Sequence, residues 1–356
     1  MAFISLLAIT PITIAFMSLF IHKKVYTFRR TLYQCFVTLT IATAGAMIQM
    51  HRHFNDTEVI SGVVTGRTKE KRPCQHKGEH EYDTDWLVHF STGESVTIKR
   101  EDLRGIAQPD RWILSQITEP ASFLRAYPNH VKGMPEEIFK YNDVAAVEKY
   151  KDYLPSYPRL IYDYYRVNRL VTVNFPKLPD NPIRDTKKQS EQRAAMLLLK
   201  NMLTSMNSRI GLDKEANVIL VIVSMLQDDF FSAIRSHWRG AKKNDIVVTI
   251  GVDREYVIHW ASAMAPADNE NYPSKLSDAI MKVKSIKDKK EQEQLIAAIE
   301  KSVRKDFKRR HFDDLDYLLM TSIPSRNFFA FILGITILVN LIMSASYYTR
   351  DQQVHA

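Results

Sequence analysis

Two carboxylates, Asp228 and Asp229, stand side by side just after the most apolar run in the middle of the chain, residues 217–223 (NVILVIV). Adjacent carboxylate oxygens suit a hard divalent cation. The same two residues suit the start of a helix, where Asp accepts backbone N–H groups and complements the helix dipole. Capping is the simpler of the two readings, and the spacing leaves both open.

Cys74, His76 and His80 form a second group, in the run Cys-Gln-His-Lys-Gly-Glu-His, with Asp83, Asp85 and His89 close behind. These residue types ligate metals, but a zinc site takes four ligands in fixed geometry, commonly in paired spacings. One Cys and one H-x-x-x-H on a loop-like stretch read more simply as a solvated polar loop. A third stretch, Trp238-Arg-Gly-Ala-Lys242-Lys243-Asn244-Asp245, joins a predicted helix to a predicted strand. Gly240 suits the helix end and Asn244-Asp245 suits a turn. The alternative is an anion-binding rim.

The chain has no G-x-G-x-x-G, no P-loop, no H-E-x-x-H and no G-x-S-x-G. Its 11 glycines leave little material for phosphate-cradling loops. No His, Ser or Cys has the partners of an activated nucleophile. The balance leans away from an enzyme, and beyond a divalent cation no cofactor is implied.

Residues 166–320, which must position the acid pair, alternate α and β. Leu170–Val173 is strand-like, and 190–210 carries Ala194, Leu197, Leu198 and Met202 at helical spacing, ending at Gly211 as a C-terminal cap. The run 217–223 is apolar throughout, as a strand buried on both faces would be. A helix over 229–238, strands over 246–252 and 256–261, and helices over 274–286 and 290–311 complete a three-layer α/β sandwich. Upstream, 51–108 forms a small β unit whose hairpin, 86–90 with 96–98, turns at Gly93. Residues 109–165, rich in proline and aromatic side chains, connect the two by wrapping over a neighbour, with one short helix near 143–151.

Three segments carry no charge: 1–21, 31–50 and 327–348. Each is long enough to cross a hydrocarbon core of roughly 30 Å as a helix. The expected arrangement is three transmembrane helices, a hairpin over 1–50 and a C-terminal helix over 327–348, with a tail at 349–356. The loop 22–30 holds Lys23, Lys24, Arg29 and Arg30 without an acid, which keeps it in the cytoplasm and sends the soluble region outside. Arg309, Arg310 and Arg326 argue the other way, but charges in long domains weigh less. The lipid bilayer is therefore the first expected partner. It also accounts for the net charge of +9 more simply than nucleic acid, for which no basic-plus-aromatic motif is present. Cys35 lies in an apolar segment and Cys74 in the soluble region, so the two are not expected to pair.

The block 217–261, with its buried strand, helix, Trp238-x-Gly240-x-Lys242-Lys243-Asn244-Asp245 and strand pair, resembles the core of the TPM domain family. That likeness implies an α/β sandwich anchored to a membrane and facing away from the cytoplasm. Some members are metal-binding or phosphatases, and others act in assembly or repair of membrane complexes. Where the family carries a glycine-rich stretch, this chain has His259-Trp260-Ala261. The wider chain is similar to membrane proteins encoded by tailed bacteriophages. It shares His80-Glu-Tyr-Asp-Thr-Asp-Trp86, Pro109-Asp-Arg-Trp112, Leu154-Pro-Ser-Tyr-Pro158 and Tyr162-Asp-Tyr-Tyr-Arg-Val-Asn168 with them. The expectation is a multi-pass, membrane-anchored binding or assembly module that engages an envelope protein, at the host inner membrane. The alternative is a metal-dependent phosphatase of the TPM kind using Asp228, Asp229 and Asp245.

Overall fold

The computed structural model describes residues 28–54, 56–73, 82–100, 108–127, 143–157, 169–175, 186–310 and 326–354. The chain divides into two compact units, a larger one of Thr57–Ala126 and Gly133–His311 and a smaller one of Met1–Asp56, Tyr127–Lys132 and Phe312–Ala356. Helices α1 (Phe28–Phe54) and α8 (Arg326–Val354) belong to the smaller unit. In the larger unit, α2 is Pro109–Leu114, α3 Val144–Lys149, α4 Thr186–Lys214, α5 Phe230–His237, α6 Tyr272–Met281 and α7 Lys289–Asp306.

The larger unit is built on two four-stranded sheets. The first has the order β3-β2-β1-β4, from β1 (Asp56–Pro73), β2 (Tyr82–Phe90), β3 (Ser95–Ile98) and β4 (Pro120–Tyr127). The second has the order β5-β6-β7-β8, from β5 (Leu170–Val173), β6 (Asn217–Ser224), β7 (Asp245–Val252) and β8 (Ile258–Met264). Strands β5, β6 and β7 are parallel, and β8 runs antiparallel to β7.

Every residue of β6 and β7 is buried, because helices cover both faces of the second sheet. Side chains of one parity (Leu220, Ile222, Val248, Ile250) pack against α4, α6 and α7. Those of the other parity (Val221, Val223, Val247) pack against α3 and α5. The protein is thus an α/β protein with helices on either side of a mostly parallel sheet.

The two crossovers of this sheet differ in hand. The chain steps from β5 to β6 and from β6 to β7 in the same direction, yet α4 lies on one face and α5 on the other. Two parallel connections that step the same way over opposite faces have opposite handedness. One of them departs from the right-handed rule that about 98% of such units obey.

Gly211 does not end α4. The helix runs on to Lys214, and Glu215, with φ 50°, makes the left-handed exit. Gly211 is small for another reason: a Cβ there would lie 2.1 Å from the carbonyl oxygen of Ser61, in β1. The first sheet is seated on α4 at that point. Its fourth strand, β4, comes from the proline-rich connecting segment, and Ile113 of α2 and Phe123 of β4 fill its core with Ile60, Val64, Val88 and Phe90.

In the smaller unit, α1 and α8 pair antiparallel. Gln34 donates to Asn340 O and to Ser344 Oγ, both at 3.3 Å, while Ala42 and Gly45 meet Ile332 toward the other end. The seam is polar and buried (Gln34, Thr38, Thr336, Asn340), whereas Phe36, Leu39, Leu338 and Ile342 point outward. Arg30 lies over the ring of Tyr347 at 5.3 Å. Among the described residues one helix is long and apolar enough to cross a bilayer, over Ala330–Tyr347 of α8. The apolar stretch of α1, Leu32–Gly45, is shorter than a span. The first expected segment, 1–21, lies outside the described residues.

Candidate functional site

The carboxyl ends of β5 and β6 are the natural place for a ligand in this sheet. The connection leaving β5 leads to α4 on one face, and the connection leaving β6 leads to α5 on the other. Where neighbouring connections lead to opposite faces, α/β proteins tend to bind their ligands outside the carboxyl ends of the strands. Here Asn174, at φ 54°, donates its side-chain amide to Ser224 O at 3.0 Å and so bridges the two strand ends. Met225, at φ 59°, follows and donates to Val252 O at 3.1 Å, tying β6 to β7.

Asp228 and Asp229 follow this fork directly. Asp229 sits at the N-cap position of α5, but its side chain makes no cap hydrogen bond. The simple capping reading is therefore corrected: the carboxylate turns to α3 and beyond, accepting from Lys149 Nζ and from Tyr150 OH. Lys149 also reaches Gln227 Oε1 at 3.3 Å and lies 4.8 Å from the centre of the Tyr150 ring. Burial alone would raise the pKa of Asp229, but the bonds from Lys149 and Tyr150 outweigh it and hold the carboxyl below its usual range. The bond to Asp229 raises Lys149, and burial together with Asp229 raises Tyr150. At neutral pH the trio is an ammonium, a phenol and a carboxylate, an arrangement that fixes charge rather than moving protons. Asp228 is exposed.

Two further residues missed in the sequence border this edge. Asp253 closes the β7–β8 turn by accepting from Glu255 N (2.9 Å) and Val257 N (3.0 Å), and its other oxygen meets His259 Nε2 at 2.7 Å. The His259 bond contributes most to holding Asp253 below its usual pKa. Trp260 donates to Leu226 O at 3.0 Å and lies across Gly251, where a Cβ would meet the indole at 1.9 Å.

The stretch 238–245 is at the opposite, amino end of the strands and faces inward. Gly240 is left-handed (φ 71°), and Trp238 donates to Pro155 O at 2.9 Å. Asn244 donates to Val59 O (2.7 Å) and Glu215 O (3.1 Å), and Lys242 reaches Thr57 Oγ1 at 2.8 Å. These bonds join the first sheet to the second, so the anion-binding rim does not form here. Asp245 is wholly buried and accepts from Tyr157 OH, Asn217 Nδ2 and Lys242 N. Burial raises its pKa against those three bonds. Arg169, also buried, gives its guanidinium to Ser61 Oγ (3.2 Å) and Ser122 Oγ (3.1 Å), and burial lowers its pKa to about 10. Asp245 therefore stands apart from Asp228 and Asp229, at the other end of the sheet.

Cys74, His76 and His80 lie outside the described residues, as do the Tyr162 run and the side chain of Asp83. Asp85 pairs with Arg72 Nε at 3.0 Å, and His89 lies between Thr68 Oγ1 (2.9 Å) and Ser95 Oγ (2.8 Å). Among the described residues no group of three or more His, Cys, Asp or Glu side chains is gathered as a metal site would need.

By fold the larger unit is an α/β protein, with the Asp229–Lys149 ion pair close to the carboxyl end of β6. No family model, curated protein or solved structure matches the chain.

Proposed function

We propose that the chain is a membrane-anchored binding or assembly module of TPM-like kind, phage-encoded, that acts at the cell envelope and engages an envelope protein. The observation that carries this reading is the antiparallel α1/α8 pair, polar within and apolar outside, whose two helices bracket the larger unit in sequence. Helices that associate in lipid favour small residues and hydrogen bonds in the seam, and Ala42, Gly45, Gln34 and Asn340 are of that kind. On this reading α1 spans alongside α8, and with the segment 1–21 the anchor is multi-pass. The positive loop 22–30 then sets the larger unit outside the cytoplasm.

Binding is favoured over catalysis because Asp229 is already engaged by Lys149 and Tyr150. The test is the full chain purified in detergent and assayed on a generic phosphate ester with Mg²⁺, Ca²⁺ or Mn²⁺. No turnover is expected, together with co-purification of one cross-linked envelope protein from native membranes. Turnover that disappears in Asp229→Ala would overturn it.

The second reading, a metal-dependent phosphatase, draws support from one feature: Asp228 and Asp229 follow the carboxyl end of β6, the end at which α/β sheets tend to take ligands. For that chemistry a cation would have to displace the Lys149 ammonium from Asp229.

A further inference from the structure

The connection from α6 to α7, residues 282–290, reads Lys-Val-Lys-Ser-Ile-Lys-Asp-Lys-Lys, five lysines against one acid. Val283, Ser285 and Ile286 turn inward, and Lys282, Lys284, Lys287, Lys289 and Lys290 are left exposed. The segment is held on the β7–β8 turn: Ile258 N donates to Lys284 O at 2.9 Å, and Ile286 N to Tyr256 O at 3.0 Å. That turn adds exposed Arg254. The nearby acids are mostly committed to backbone. Asp253 closes the turn, Asp288 accepts from Glu291 N at 2.9 Å, and Glu291 accepts from Lys287 N at 3.1 Å. Glu293 lies 3.8 Å from Lys289, and exposed Glu255 stands next to Arg254 in sequence. Lys282, Lys284, Lys287, Lys290 and Arg254 meet no acid among the described residues. The other end of α7 differs, for there Arg304 pairs with both Glu300 and Asp213. Lys289 and Lys290 also begin α7, just after its N-cap Asp288, where the helix dipole favours acids. The sequence thus keeps positive charge at a place where it costs stability.

We propose that this lysine-rich face docks on the anionic headgroups of a lipid bilayer, and that the bilayer is a second one rather than the chain's own. Clusters of several Lys and Arg suit anionic lipid, because each charge near such a surface is drawn to its negative potential. Among these lysines stand exposed Val257 and Met281 (39% and 43%), apolar side chains that a headgroup layer takes in. A nucleic-acid face would add rings for bases to stack on, but Tyr256 lies against Phe175 instead, with 6.3 Å between ring centres. The choice of bilayer follows from α7. Its 18 residues rise about 27 Å, with the patch at one end and Arg309 beyond the other. Arg309 and its partner Glu58 mark where the chain leaves and enters the larger unit. The patch and the ends that lead to the anchor are thus at opposite ends of the helix. The inference rests on the membrane-anchor reading for its tether but not on the envelope-protein partner.

The test uses the full chain in nanodiscs of neutral phosphatidylcholine, sedimented with sucrose-loaded vesicles rich in phosphatidylglycerol. The discs are expected to sediment with these vesicles at low salt, to be released as salt screens the charges, and to ignore vesicles of phosphatidylcholine alone. Removing three charges by Lys282→Gln, Lys284→Gln and Lys287→Gln together is expected to weaken binding by on the order of a hundredfold. Lys301→Gln, Lys305→Gln and Lys308→Gln, which change net charge equally toward the far end of α7, are expected to leave it unchanged. Phosphatidylglycerol placed in the disc itself is expected to leave it unchanged as well. No sedimentation with anionic vesicles would overturn the proposal, and so would an equal loss in the two triple variants. Loss of vesicle binding when the disc is anionic would overturn it in favour of the chain's own bilayer. A DNA duplex bound more tightly than lipid, and released by the first triple variant, would overturn it in favour of nucleic acid. Entry into the disc reports the anchor separately, and a chain that stays out of the disc is mixed with the same vesicles directly.

Discussion

Gly211 of α4 faces the carbonyl oxygen of Ser61 in β1 so closely that a methyl group on Gly211 would stand 2.1 Å from it. Backbone meets backbone here, and neither side can rotate away. Gly211→Ala is expected to destabilise the larger unit by about 1–3 kcal/mol, the usual range for overpacking, even though alanine is the better helix former. Urea denaturation of the two proteins measures the difference, and an equal or higher midpoint for Gly211→Ala would contradict the close approach.

Asp245→Ala leaves the donors of Tyr157, Asn217 and Lys242 without their acceptor, and Arg169 without a nearby negative charge. A loss of about 3–5 kcal/mol is expected, as when one partner of a buried charge pair is removed. Arg169→Met alone is expected to be costly as well. Combining Arg169→Met with Asp245→Asn should cost less than the sum of the two single changes, because neither charge is then left uncompensated. Strict additivity in denaturation would show that the two do not feel each other.

Glu300 of α7 accepts from Arg209 Nε (3.1 Å) and Nη2 (2.6 Å) of α4, and from Arg304 Nε (3.1 Å). The Arg209 bonds contribute most to holding its pKa below the usual value. A carboxyl depressed in the folded state stabilises above its unfolded pKa, and that contribution fades as pH falls through the folded value. Glu300→Gln is expected to lower stability by about 0.5–1 kcal/mol at neutral pH, the scale of a partly exposed pair. The gap should begin to close near the ordinary Glu pKa of about 4.3, where the unfolded carboxyl protonates, and vanish once the pH falls below the folded value. A gap that stays constant down to acid pH would remove the ion pair from the account.

Gly45 and Ile332 meet in the seam of α1 and α8, where a Cβ on Gly45 would come 2.9 Å from Ile332 Cδ1. Gly45→Leu is therefore expected to part the helices, and cysteines placed at 45 and 332 are expected to join in native membranes. Failure to join, with both thiols reactive, would mean that the helices do not run side by side.

Much of the second sheet was legible in the sequence, because β6 and β7 are apolar along their whole length and only a doubly covered strand reads that way. β4 was not. Its sequence PASFLRAY starts on a proline among other prolines, and an edge strand tolerates proline where a central one does not. β8 was placed too early, at 256–261, because Tyr256 belongs to the turn that Asp253 closes and takes φ 65°. At the candidate site Asp228 and Asp229 were visible as a pair at a strand end. The partners of Asp229 were not, since Lys149 and Tyr150 lie about eighty residues away in sequence and no local pattern links them. Arg169 was missed for a similar reason: its serine partners belong to the other sheet.

Glu58 and Arg309, near the first and last residues of the larger unit, are bonded to each other at 2.5 Å, and Arg309 continues through Glu215 and Arg125 to Glu94. Tension drawn on the two ends of the unit would enter it at those two residues. They are joined at the point of entry, so the pull would act on this alternating chain of charges before it reached either sheet. Pulled from its two ends, the larger unit would behave like a purse closed at its neck, its sheets carrying load only after that clasp had opened.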